Sequence, residues 1–193
     1  MKSHILNTIS YIGGSVEGID NEKLAHLCIT EGARYSEDPT QNRYEDFNIP
    51  SNEEWNKVFE NIQYQYMRVF KSRLELIDHW AHIHKKYEST NMHNHVNVDF
   101  FGISAESQAD VSGVYYVQIP KDSGKFQFKY NINQYQTRSY WVEPVVGNFL
   151  IFPSTLNHYV TKNLSDDLRV SISFNAIELT QPGDLKKLVQ QGQ

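Results

Sequence analysis

Apolar residues recur at helical spacing in one long stretch of the chain and at a spacing of two through most of the C-terminal half. Trp55, Val58, Phe59, Ile62, Tyr66, Val69 and Phe70 lie three or four residues apart, so a helix would carry them on one stripe. Ser51 stands where an N-cap belongs, and Glu54 comes three residues later, as a capping box requires. A helix is therefore predicted from Ser51 to Phe70, laid against the outer face of a sheet. Upstream, Leu24, Leu27 and Cys28 make a shorter stripe behind Asp20 as N-cap, ending near Gly32. His4 to Ile12 alternates loosely as an entry strand closed by Gly13 and Gly14. The polar stretch from Ala33 to Pro50 reads as a surface loop.

From Leu74 the period is two. Leu74, Leu76, Trp80 and Ile83 open a strand region, and a second strand carries His93. Further strands are predicted at Val111 to Ile119, Lys125 to Tyr130, Tyr140 to Pro144, Asn148 to Phe152, Tyr159 to Thr161 and Leu168 to Ile177. Turn signals at Lys121-Asp122-Ser123-Gly124 and Val146-Gly147-Asn148 separate them. About eight short strands punctuated in this way imply an antiparallel sandwich or barrel, a mainly β fold with flanking helices. There is no internal repeat and no linker, so one domain is expected over residues 1–193. It divides into a helical part to about residue 72, a β core over about 73–179, and a polar tail with a short helix at Asp184 to Gln191.

Composition narrows the class. Only 39% of residues are hydrophobic, but 12 Tyr, 10 Phe and 3 Trp supply the bulk that a β-rich core needs and a disordered chain lacks. A net charge of −5 with no long basic run disfavours nucleic acid as a partner. Cys28 is the one cysteine, so no internal disulfide can form and a reducing compartment is expected. The start of the chain lacks the apolar run of a signal peptide, and no stretch is long enough to span a membrane. A cytoplasmic location is the resulting expectation.

The chemistry gathers at histidines. His93 and His95 are two apart, so one strand would aim both at the same face, and His158 arrives on a later strand. Three imidazoles on one side of a metal leave positions open opposite. His82 and His84 have the same spacing, with His79 nearby, and read as a decoy on the surface. Beyond His158, the run from Arg169 to Asn175 alternates: Val170, Ile172 and Phe174 face one way, Arg169, Ser171 and Ser173 the other. An arginine and hydroxyls on one strand face suit a dicarboxylate, which the guanidinium grips as a fork. The plainer alternative pairs Arg169 with Asp166 or Asp167 at the surface.

Taken in order, the run from Trp80 to Asn175 resembles the 2-oxoglutarate- and iron(II)-dependent oxygenases. Within them it is similar to a small branch from bacteria and their phages with His-x-His, Ser-Gly-Val-Tyr-Tyr (Ser112 to Tyr116) and Phe-Pro-Ser (Phe152 to Ser154) motifs. The resemblance implies a double-stranded β-helix, or jelly roll, binding Fe(II) and 2-oxoglutarate as co-substrate. It makes His93 and His158 iron ligands, has Arg169 and Ser171 hold the distal carboxylate, and adds Tyr116 as a further contact. One departure stands out: His95 occupies the place where the superfamily carries an acid. A three-histidine site is the first reading, with Asp99 the main substitute for His95 and Asp110 a weaker one. Val96 to Asp110 is expected to form a flap, and the aromatic-rich stretch Tyr130 to Tyr140 reads first as plain surface, with a place at the substrate mouth as the alternative.

The implied reaction couples decarboxylation of 2-oxoglutarate to succinate and CO2 with oxidation of a C–H bond, most simply a hydroxylation. The substrate is a small molecule or a protein side chain. Two other readings stand beside it: a cupin-like three-histidine dioxygenase that uses no 2-oxoglutarate, and a jelly-roll binding module without catalysis.

Overall fold

Two helices precede most of the sheet. Asp20 caps α1 (Asn21–Ser36), its Oδ1 accepting from the Lys23 N–H at 2.9 Å, and the helix runs on past Gly32. The cap of α2 (Glu53–Phe70) is Asn52 rather than Ser51: its Oδ1 accepts from the Trp55 N–H at 2.9 Å. Asparagine caps as well as serine. Glu54 is drawn away from the capping box, taking the Asp20 N–H at 3.3 Å and the Lys23 ammonium at 3.5 Å, which ties the starts of the two helices together. Lys71, at φ 59, closes α2 by donating to the Met67 carbonyl.

The computed structural model describes residues 10–36, 49–50, 52–95, 109–133 and 135–180. Ser51 and the predicted tail helix lie outside them. The strands are β1 (Ile12–Ser15), β2 (Ser72–His84), β3 (Thr90–His93), β4 (Val111–Gln118), β5 (Phe126–Asn133), β6 (Gln136–Val142), β7 (Asn148–Pro153), β8 (His158–Val160) and β9 (Arg169–Thr180). One sheet has the order β1-β7-β4-β9-β2 and the other β3-β8-β5-β6, with every neighbouring pair antiparallel. Strands that are far apart in sequence alternate between the layers, and the result is a jelly roll. Gly13 and Gly14 lie inside β1, and most of the predicted entry strand from His4 to Ile12 lies outside the described residues. The stretch around Tyr130 to Tyr140 is mostly paired hairpin, Tyr130 opposite Arg138, and not an open loop. Its pattern is faint because β6 is an edge strand exposed on both faces.

Alternation along β9 divides the interior in two. Val170, Ile172, Phe174 and Ala176 point outward from the five-stranded sheet into a core completed by Trp55, Val58 and Ile62 of α2 and Leu24 and Cys28 of α1. That is the predicted seat of the long helix, although Val69 and Phe70 overrun the sheet and are exposed. Burial pushes the Cys28 thiol up to about 12, as suits an inert core cysteine. Between the sheets lies a second core of Val114, Tyr116, Phe126, Phe128, Leu150, Phe152, Leu156 and Val160. Among the described residues, no helix is long and apolar enough to cross a membrane.

A bulge in β2 decides which histidines face this second core. Leu74 and Leu76 pair with Glu178 and Ala176, but after a register shift Asp78 pairs with Asn175 and Trp80 with Ser173. The extra residue reverses the parity of the strand. Leu74 is therefore helix-facing before it, and Ala81 and Ile83 are helix-facing after it, which turns Trp80, His82 and His84 inward.

Gly113, in the middle of β4, is required by packing. A Cβ there would overlap the Phe174 ring and stand 2.9 Å from the Leu150 carbonyl oxygen. Gly113→Ala is expected to destabilise the fold by about 1–3 kcal/mol, the usual cost of overpacking a closed core. Urea unfolding checks it, and an unchanged midpoint would mean that Phe174 gives way freely.

Candidate metal centre

His93 on β3 pairs directly with His158 on β8. His95 lies past the end of β3, so strand parity does not aim it; its backbone N–H donates to the Ser154 carbonyl at 2.9 Å. Ser154 in turn takes hold of the start of β4, its N–H on the Asp110 carbonyl and its hydroxyl on the Ala109 carbonyl. The serine of the Phe-Pro-Ser motif thus latches the His95 segment to the jelly roll.

Each of the three rings is held at Nδ1. His93 meets the Asn91 carbonyl at 2.8 Å, His158 the Leu156 carbonyl at 2.8 Å, and His95 the Asn175 Oδ1 at 2.8 Å. Each partner accepts, so Nδ1 carries a proton in each ring, and a neutral ring would then present its Nε2 lone pair to the interior. The Nε2 atoms of His95 and His158 are 3.2 Å apart, and one ligand atom from each of the three histidines falls within 4.8 Å of the others. Three neutral imidazole donors converging with their outer nitrogens tied back is a donor set that fits a first-row metal ion.

His158 is nearly sealed, and burial first, then the neighbouring histidines, pulls its pKa down to about 3. It stays neutral far below neutral pH, the state in which an imidazole can bind a metal. Between the unfolded value near 6.5 and about 3, the unfolded chain binds the extra proton, so acid favours unfolding. Metal-free protein is expected to lose on the order of a few kcal/mol over that range from this group. Urea midpoints at neutral and acidic pH, compared between the wild type and His158→Gln, would check this. Equal losses in both would count against it.

Arg169 lies on the same side of β9 as Ser171 and Ser173, facing inward. It does not pair with Asp166, which Lys86 takes at 2.7 Å. Arg169 is 1% exposed, and none of its Nε, Nη1 and Nη2 atoms has a hydrogen-bond partner among the described residues. Burial draws its pKa down to about 10, which still leaves it charged at neutral pH. Tyr116, opposite Ser171, is buried beside it with its hydroxyl equally unsatisfied, and burial pushes that phenol well up. A buried cation without a partner is costly, and an anionic ligand with two carboxylate oxygens would relieve it. Arg169, Ser171 and the three histidines line one cavity. It holds about 20 Å3, less than a dicarboxylate fills.

The surrounding residues depart from the sequence reading in several places. His82 and His84 stay outside the ligand cluster, as expected of the decoy pair, but the β2 bulge puts them on the wall of this same cavity rather than at the surface. Trp80 donates from Nε1 to His82 Nε2 at 2.8 Å and lies against the His95 ring. His79 points the other way and stacks on Trp55. Asp110 accepts from the Glu178 N–H at 2.8 Å and takes no part in the cluster. Asp99 and most of the predicted flap lie outside the described residues. Tyr130 and Tyr140 line a separate cavity of about 320 Å3 with Tyr11, Phe128 and Leu156. Sequence reasoning gives no role to Asn175 or Ser112, whose partners lie on distant strands.

No curated protein matches the sequence. The fold resembles a prolyl-4-hydroxylase from Pseudomonas putida, at 18% identity and a TM-score of 0.57 over 88% of this chain and 89% of that one. It also resembles a viral collagen prolyl hydroxylase from Paramecium Bursaria Chlorella virus-1, at 12% identity and a TM-score of 0.63 over 92% and 96%. A third likeness is to a non-heme alpha-ketoglutarate-dependent epimerase of nogalamycin biosynthesis, at 12% identity and a TM-score of 0.58 over 88% and 78%. At these identities the likenesses speak for the jelly roll. The sequence itself matches the 2OG-Fe(II) oxygenase family 2OG-FeII_Oxy_5 over residues 78–175, just over half the chain and the stretch that holds all three histidines and Arg169. The chain belongs to the 2OG-Fe(II) oxygenase family, a family of enzymes that use iron(II) and 2-oxoglutarate.

Proposed function

We propose that the protein hydroxylates an unactivated C–H bond of a small molecule or a protein side chain, through a three-histidine iron site and 2-oxoglutarate held by Arg169. The observation that carries this reading is one cavity lined both by three histidines whose ligand atoms converge and by a buried guanidinium with no hydrogen-bond partner among the described residues.

His93, His95 and His158 would hold the iron, their Nδ1 anchors keeping the rings from turning. Arg169 would take the distal carboxylate as a fork, with the Ser171 and Tyr116 hydroxyls as further donors. Iron and 2-oxoglutarate, when bound, supply the oxidation: O2 is consumed, 2-oxoglutarate leaves as succinate and CO2, and the substrate gains a hydroxyl. The protein's part is to orient and to keep water out. The packed rings of Phe126, Phe128 and Phe152 around His158 dry that side of the site. Because His95 is neutral where an acid is usual, the ligands leave the full charge of the ion for the co-substrate dianion to balance. Family membership favours this reading over a non-catalytic module and over a three-histidine dioxygenase that does not use 2-oxoglutarate.

The test is a single pair of measurements. Iron(II) protein is titrated with 2-oxoglutarate without oxygen, following the metal-to-ligand absorption band, and then exposed to oxygen with succinate measured. A band with succinate released in proportion to oxygen consumed supports the reading. Metal binding without either would return the cupin-like alternative.

A further inference from the structure

We infer that Asn175 is the positioning residue that makes a histidine work at the place of the usual acid. The inference rests on the three-histidine reading above. Two donors meet one atom: His95 Nδ1 at 2.8 Å and the Ser112 hydroxyl at 2.8 Å both reach Asn175 Oδ1. An amide oxygen has two lone pairs, so it accepts both without conflict. Ser112 is fully buried, and its hydroxyl donates to the oxygen side of the amide.

The orientation of that amide decides what His95 can do. With Oδ1 toward the ring, Nδ1 carries the proton and the Nε2 lone pair points at the cluster. With the amide reversed, its NH2 would donate to Nδ1 and force the proton onto Nε2. That atom stands 3.2 Å from His158 Nε2, so an N–H would fill the space a metal needs. A carboxylate ligand has no tautomers and needs no such partner. A histidine in its place does, and β9 supplies it six residues beyond Arg169, on the same face of the strand. The strand that would grip the co-substrate with Arg169 thus also sets the third ligand with Asn175. Trp80, against the other side of the His95 ring, limits its tilt but offers Nδ1 nothing.

The test uses cobalt(II) as the metal and needs no turnover. Metal-stripped protein is titrated with cobalt(II), and affinity is read from the visible absorption of the bound ion. Asn175→Leu, which keeps the size but not the acceptor, is expected to bind roughly 10–100-fold more weakly, the usual effect of losing a ligand's outer partner. Asn175→Asp keeps an acceptor and should bind at least as tightly as the wild type. Nitrogen-15 spectra of the metal-free proteins give a second readout: His95 should be the Nδ1–H tautomer in the wild type and in Asn175→Asp, and a mixture in Asn175→Leu. Wild-type affinity in Asn175→Leu, or an Asn175→Asp variant as weak as the leucine, would overturn the inference, as would an unchanged tautomer. Should the leucine variant fail to fold, Ser112→Ala, expected to bind cobalt(II) more weakly than the wild type and to show a mixture of His95 tautomers, and Asn175→Asp, expected to match the wild type in both, carry the test. Wild-type protein that binds no cobalt at all would instead refute the metal site itself.

Discussion

Arg169→Ala is expected to lower the affinity for 2-oxoglutarate by very roughly thirtyfold to several thousandfold while the metal stays bound. Removing one partner of a desolvated, hydrogen-bonded charge pair costs about 2–5 kcal/mol, and each 1.4 kcal/mol is about a factor of ten. Arg169 belongs at the upper part of that range because it is 1% exposed and water cannot take over its role. Arg169→Lys should restore only part of the loss, since an ammonium cannot reproduce the planar fork. A second signature separates a binding arginine from a structural one. Without ligand, the guanidinium has no hydrogen-bond partner among the described residues, so it strains the fold rather than holding it. Arg169→Met should therefore leave the ligand-free protein as stable or raise its stability, by up to about 4 kcal/mol, as apolar replacements of buried charges do. Anaerobic titration and urea unfolding give the two numbers. A destabilised Arg169→Met, or an alanine variant that titrates like the wild type, would mean that the arginine serves the fold.

Features with a local cause are legible in the chain, and features made by distant contacts are not. The alternation from Arg169 to Phe174 is plain because β9 is an inner strand with one face on the helix core and the other on the cavity. The long helix is plain for the same reason, a stripe of apolar residues matched to one face, and only its ends mislead. There Asn52 outcompetes its neighbour as cap, and the last turn outruns the sheet that buries the rest.

The place of His82 and His84 on the cavity wall is not legible from spacing alone, because one extra residue near Ile77 reverses the parity of β2. A trace of it is present: the buried positions shift from Leu74 to Ala81 and Ile83, from even to odd. His95 is placed on the right side for a reason the sequence does not contain. It lies past the end of β3, and its aim comes from Ser154 and Asn175, about sixty and eighty residues away. Such contacts are made by the fold, and no spacing announces them.

The third ligand gives the last expectation. Single alanine variants of His93, His95 and His158 should each weaken iron(II) binding by more than about a hundredfold, since losing only an outer partner already costs 10–100-fold. His82→Ala and His84→Ala should retain the metal, because these rings line the cavity without joining the cluster. Asp110→Ala should retain it too, its carboxylate being engaged by the Glu178 N–H. An order among the three proposed ligands is expected as well. His158 is 4% exposed and anchored by a backbone carbonyl, whereas His95 hangs from a side chain on another strand. His158→Ala should therefore be the most damaging and His95→Ala the least. His95→Asp is the informative variant. It places an acid where the superfamily usually has one, and if His95 holds that position the variant should bind iron(II) and 2-oxoglutarate far better than His95→Ala does. Iron retained in His95→Ala but lost in Asp99→Ala would give the position to the aspartate instead, and with it a centre of two histidines and one acid.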